Sequence, residues 1–119
     1  MKILILEDDP ERVKKFRQQL IGNEVTVVDQ APACIEHLRN STFDLLFLDH
    51  DLGGKVYVPS GPGTGYEVAC WLHNNLDRRS RLIIVHSLSS FGAENICKVL
   101  PRAVRLPHAW MYDLSPLLI

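Results

Sequence analysis

Apolar residues fall in short runs, and the stretches between them repeat at helical spacing. Residues 3–6 (ILIL) form an unbroken aliphatic run, as expected for a strand buried on both faces. The run stops at Glu7-Asp8-Asp9-Pro10, where Asp9 suits a helix N-cap and Pro10 the first helical position. Val13, Phe16 and Leu20 follow at helical intervals, and Gly22 ends that helix. Residues 24–28 read as a second strand. Pro32 opens a second helix with Ile35 and Leu38 on its inner face. Residues 43–48 form a third buried strand ending at Asp49-His50-Asp51. A Gly- and Pro-rich loop spans 52–63, of which 55–63 resembles an insertion. Residues 66–76 read as a helix with Val68, Ala69 and Leu72 inward, 82–85 as a fourth strand ending at His86-Ser87, and 94–100 as a helix. A short fifth strand is expected at 103–106, ending at Pro107-His108. The tail from 109 on is expected to hold a short helix, broken or capped near Pro116. Strands alternating with helices imply parallel pairing through right-handed crossovers, hence one three-layer α/β/α domain spanning 1–119.

Composition narrows the function classes. Thirteen basic residues face fourteen acidic ones, so no basic excess exists for general nucleic-acid binding. No apolar run is long enough to span a membrane, and residues 3–6 are too short for a signal-peptide core. Cys34, Cys70 and Cys97 are widely spaced and odd in number, which reads as reduced thiols in a cytoplasmic protein.

Chemistry gathers at the strand ends. In open α/β sheets, ligands bind beyond the carboxyl ends of the strands. Those ends deliver Glu7, Asp8 and Asp9; Asp49, His50 and Asp51; His86 and Ser87; and His108. His37 and His73 fall in helices and read as surface residues. Clustered carboxylates need compensation, and a hard divalent cation held by oxygen ligands supplies it. Glu7, Asp8 and Asp49 are the expected ligands of Mg²⁺ or Mn²⁺. Asp9 is also explained as an N-cap, Asp51 as a turn cap, and Ser87 as the cap of the next helix. His86 could be a core histidine and His50 a surface one, yet an imidazole beside a metal can act as ligand or general acid/base. Gly61-Pro62-Gly63-Thr64-Gly65 lacks the Gly-Lys-Ser/Thr ending of a phosphate loop, so it reads as a mobile rim. Tyr57 and Trp71 read as packing residues rather than base-stacking platforms.

The stretch Lys2-Ile-Leu-Ile-Leu-Glu-Asp-Asp-Pro10, the run Phe43-Asp-Leu-Leu-Phe-Leu-Asp49, Thr64-Gly65 before a helix, and Leu106-Pro107 together resemble response-regulator receiver domains. The resemblance covers nearly the whole chain. It implies a CheY-like (flavodoxin-like) sheet of strand order 2-1-3-4-5. It also implies that Glu7 and Asp8 are the acidic pair, Asp49 the phosphoacceptor or metal-binding aspartate, and Asp51 a carbonyl donor to the metal. Three departures stand out. Leu106 occupies the place of the receivers' lysine before the fifth-strand proline, and Arg105 beside it points to the other face. His86 stands where receivers carry Thr or Ser. The loop after Asp49 is longer. Leu48-Asp49-His50-Asp51-Leu52-Gly53-Gly54, with Val85-His86-Ser87, is similar to a divergent receiver-like group whose proposed chemistry is the processing of cyclic phosphates.

Two readings of different class follow. In the first, the domain is an enzyme on a small or terminal cyclic phosphate, with Asp49, His50, Asp51, His86 and Ser87 as catalytic candidates and His50 or His86 moving the proton. In the second, Asp49 accepts a phosphoryl group from a histidine kinase or other signalling partner, or the domain is a degenerate receiver that only docks other proteins. Expected partners are a phosphorylated or cyclic-phosphate ligand, with neither membrane nor general nucleic acid; the expected assembly is a monomer or weak dimer.

Overall fold

The computed structural model describes residues 1–118. Five parallel strands form one sheet of order β2-β1-β3-β4-β5: β1 Lys2–Leu6, β2 Glu24–Val28, β3 Leu45–Leu48, β4 Leu82–Val85 and β5 Val104–Arg105. Registers pair Leu6 with Val28 and Leu48, and Leu48 with Val85. The three central strands therefore end level, and the residues after them emerge at one edge. Ile3–Leu6 and Leu45–Leu48 are wholly buried, the pattern of strands covered on both faces.

Four helices cover the sheet: α1 Pro10–Gln19, α2 Ala31–Asn40, α3 Gly65–His73 and α4 Ser90–Val99. Leu4, Leu6, Leu46, Leu48 and Val85 pack beneath α2, α3 and α4. Ile3, Ile5, Leu45, Phe47 and Ile84 pack on the other face against Phe16 of α1 and against Ala109, Trp110 and Leu114 of the tail. Asp9 caps α1 through Oδ1, which accepts the Glu11 and Arg12 N–H groups, with Pro10 as the first helical residue.

Local departures from the sequence reading have local causes. α4 starts four residues earlier than expected because Ser89 supplies the cap, accepting the Gly92 N–H at 3.0 Å. Ser87 is therefore not that cap. α3 ends three residues early because the Asn74 and Asn75 side chains take the Cys70 and Trp71 carbonyls. β5 has only two residues, both exposed. The tail forms two 3₁₀ turns, Ala109–Met111 and Ser115–Leu118, in place of a helix. No helix among the described residues is long and apolar enough to cross a membrane.

Candidate functional site

The level ends of β1, β3 and β4 bring Glu7, Asp49 and His86 together. One ligand atom of each lies within 4.8 Å of the other two. Glu7 and His86 are wholly enclosed. Oε2 of Glu7 accepts the Asp8 and Asp9 N–H groups at 2.9 and 3.0 Å, and Oε1 meets His86 Nε2 at 3.1 Å. His86 Nδ1 has no partner among the described residues and faces an aromatic box, with Phe16, Trp110 and Phe47 rings 5.0, 5.9 and 6.2 Å away. An orphan N–H there would cost more than an orphan lone pair, so the proton sits on Nε2 and donates to Glu7. Burial holds the His86 pKa below its ordinary value, against the pull of Glu7. Glu7 is ionised: burial opposes the charge, but the His86 and Asp9 hydrogen bonds and the Arg12 charge outweigh it. His86 thus stands behind Glu7 as a neutral donor and does not reach the solvent edge.

Asp49 has a different balance. Burial and the Glu7 charge push its carboxyl up to about 8, with the His50 N–H and Arg12 pulling the other way. Its only near cation among the described residues is Arg12, whose guanidinium lies 3.9 Å from Asp49, 3.7 Å from Glu7 and 3.7 Å from Asp9. These separations exceed hydrogen-bond length. Arg12 is held there by stacking on Trp110, 4.9 Å from the ring centroid. Nothing in the helical pattern of α1 singles Arg12 out, because Trp110 reaches it only through the fold of the tail. Leu106, at the place of the receivers' lysine, packs into the core on the α1 side.

Asp8, Asp49, Asp51, Arg12 and Ser87 line a cavity of about 390 Å³, with Tyr57, Val56 and Leu88 on its apolar side. Ser87 Oγ accepts the Ser89 N–H at 3.1 Å, which leaves its own proton free to donate. The long loop is stitched to this edge by two carboxylates. Asp8 Oδ2 accepts the Gly54 N–H at 2.7 Å, and Asp51 Oδ2 the Tyr57 N–H at 2.6 Å. Tyr57 is exposed and has φ 52°, a left-handed conformation costly for a non-glycine residue. His50 is fully buried, because the loop folds back over it: Nδ1 meets Asp51 Oδ1 at 2.6 Å and Nε2 meets Ser60 Oγ at 2.8 Å. Neither imidazole forms part of the cavity wall. His108 is exposed and lies against Trp110, away from the cavity, while His37 and His73 are on the surface. Trp71 sits under Arg39 on the helical face, and Cys34 is a buried thiol pushed up to about 12 by burial.

A family described as cyclic-phosphate processing receiver domain has a model that matches residues 2–102. The chain belongs to that family. No curated protein matches it. Among solved structures, the Mn²⁺-bound form of response regulator Rcp1 is 20% identical over 98% of this chain and 86% of its own, with TM-score 0.70. Response regulator TrrA of Thermotoga maritima, in complex with Mg²⁺-BeF, is 20% identical over 99% and 96%, with TM-score 0.67. A CheY-like receiver domain from Methanospirillum hungatei is 20% identical over 98% and 88%, with TM-score 0.68. At these identities the likeness establishes the receiver fold.

Proposed function

We propose that the cavity of this receiver domain is a divalent-cation-dependent phosphoester site acting on a small or terminal cyclic phosphate. The observation that carries the reading is the state of Asp49: a buried carboxyl beside an ionised Glu7, pushed up to about 8 with Arg12 too distant to hydrogen-bond. Such a site gains from a second cation, and its donors are the carboxylate oxygens that Mg²⁺ and Mn²⁺ prefer. Asp49 and Asp8 would hold it from the cavity wall and Glu7 from beneath. The presence of Mn²⁺ and Mg²⁺ with Rcp1 and TrrA supports that choice. When bound, the ion polarises a phosphoryl oxygen and makes a water more acidic.

The chain's own residues do the rest. Arg12 lines the cavity and supplies the positive charge that Leu106 cannot, so it clamps a phosphoryl oxygen. Ser87 donates its free hydroxyl proton to another. His86 fixes Glu7. Asp51 ties the loop over the cavity, and its other oxygen holds His50, so His50 can pass a proton only along that hydrogen-bonded line. The phosphorylation-switch reading lacks the lysine that would meet an aspartyl phosphate.

The test is a hydrolysis screen with 2′,3′-cyclic nucleotides and other cyclic phosphates, with Mg²⁺ or Mn²⁺. Turnover is expected to need the cation. Arg12→Ala is expected to lower kcat/KM by roughly 10²-fold, the cost of one charge-stabilising donor, with cation affinity kept or raised. Absence of turnover, combined with stoichiometric modification of Asp49 by acetyl phosphate, would replace this reading with the signalling one.

A further inference from the structure

Beside the acid cavity, the long loop assembles a second set of reactive groups. His50 Nδ1 lies 2.6 Å from Asp51 Oδ1, and His50 Nε2 lies 2.8 Å from Ser60 Oγ. Asn95 of α4 donates to the same Ser60 oxygen at 3.0 Å. The direction of every bond is fixed. Asp51, as a carboxylate, only accepts, so the His50 proton sits on Nδ1 and Nε2 presents a lone pair. Ser60 must then donate its proton to Nε2 and accept from Asn95. The imidazole is fully buried and its seat is built to shape: a Cβ on Gly92 would fall 2.3 Å from His50 Cγ. Ser60 itself is only half-buried.

We propose that Ser60 is an activated nucleophilic serine, with His50 as its general base and Asp51 as the group that orients the base. A nucleophile within hydrogen-bond reach of a base, itself held by a carboxylate, is the arrangement such catalysis needs. Its substrate class is a phosphoryl electrophile; that class rests on the phosphoester reading, whereas the activation of Ser60 does not. In the reaction, Ser60 Oγ bonds to phosphorus as the bond to the leaving oxygen breaks. The serine proton moves to His50 Nε2, Asp51 stabilises the imidazolium, and the imidazolium protonates the leaving oxygen. A water then attacks the phosphoseryl group, giving a proton to Nε2 and hydroxyl to phosphorus, and Ser60 regains its proton from His50.

A loop latch made of the same hydrogen bonds would affect stability but not serine reactivity, so reactivity is the measurement. The protein is treated with an alkyl fluorophosphonate, in which Oγ–P formation expels fluoride, and then analysed by intact mass and peptide mapping. One adduct at Ser60 is expected, unaffected by a metal chelator and absent in Ser60→Ala. His50→Gln is expected to slow labelling by roughly 10²-fold or more. If His50→Gln does not fold, Asp51→Asn carries the test, since it removes the carboxylate that holds the proton on Nδ1 and should slow labelling likewise. No adduct under conditions that label a serine hydrolase completely, an adduct spread over several serines, or one formed equally fast in the folded His50 or Asp51 variant would overturn the proposal. Cation-dependent hydrolysis of cyclic phosphates can fail while Ser60 still labels, and the reverse, so the two readings fail separately.

Discussion

Asp49→Asn is expected to stabilise the cation-free protein at pH 8 and to abolish its thermal response to Mg²⁺ and Mn²⁺. The Asp49 carboxyl ionises near 3.8 when the chain is unfolded and near 8 when it is folded. Between those values the folded state keeps a proton that the unfolded state releases. Its contribution to stability is therefore full below about pH 4 and is lost as pH rises through about 8, by up to roughly 1 kcal/mol per pH unit. Glu7 works in the opposite sense: held below its usual range, it contributes above about pH 4.5 and fades as pH falls. His86, held neutral by burial and so below its ordinary 6.5, opposes Asp49 up to about pH 7. From about pH 7 to 8.5 the Asp49 contribution governs, so the melting temperature of the cation-free wild type should fall across that range. A cation that binds the ionised native state should raise it, more at pH 8 than at pH 6. Asparagine cannot ionise, so the variant should show a shallower pH profile and no cation-dependent rise. A variant that still responds to cations as the wild type does would remove Asp49 from the ligand set.

The second large effect is structural and falls on the same edge. Gly65 opens α3, and its N–H donates to the His50 carbonyl at 3.0 Å. A Cβ at this position would lie 1.8 Å from the Asp49 carbonyl oxygen and 2.9 Å from its carbon. Both are backbone atoms, so no side-chain rotation relieves the clash, and α3 would have to move off the end of β3. Gly65→Ala is expected to destabilise the protein by about 3 kcal/mol, at the upper end of overpacking costs. Gly61 is the control. A Cβ there meets nothing within 4 Å, and its φ is not positive, so Gly61→Ala should change stability by no more than about 0.5 kcal/mol. Urea unfolding of both variants makes the comparison. Equal midpoints would mean that α3 does not abut Asp49 as closely as described.

Much of this architecture can be read from the residues. The aliphatic runs before Glu7 and Asp49 mark strands buried on both faces, and their chain positions relative to the helices place those acids at one edge. Receiver motifs add the strand order. What escapes the sequence is what depends on segments meeting from far away. Arg12 lies in a stretch whose apolar positions alone mark the helix, and only the placement of Trp110, about a hundred residues later, holds its guanidinium over the acids. Alternation along β3 points His50 outward, yet the loop covers it, because Asp51 and Ser60 supply the partners that its buried ring requires. The sequence offers Ser87 as a cap; the geometry gives the cap to Ser89 and leaves Ser87 facing the cavity. The tail carries too little helical pattern to foretell two 3₁₀ turns, yet Trp110 of the first turn and Leu114 between the two complete one face of the core.

A cation-dependent phosphoester site at Asp49 and its neighbours, as proposed, requires both the carboxylate and the ion for turnover. The most direct measurement follows a cyclic phosphate by ³¹P NMR in the presence of the wild type and of Asp49→Asn, each with Mn²⁺ and with chelator. Conversion of the cyclic diester resonance to a phosphomonoester is expected from the wild type with Mn²⁺ alone, and none above the uncatalysed rate in the other three samples. Equal conversion by wild type and Asp49→Asn, or conversion that persists in chelator, would contradict the proposed site.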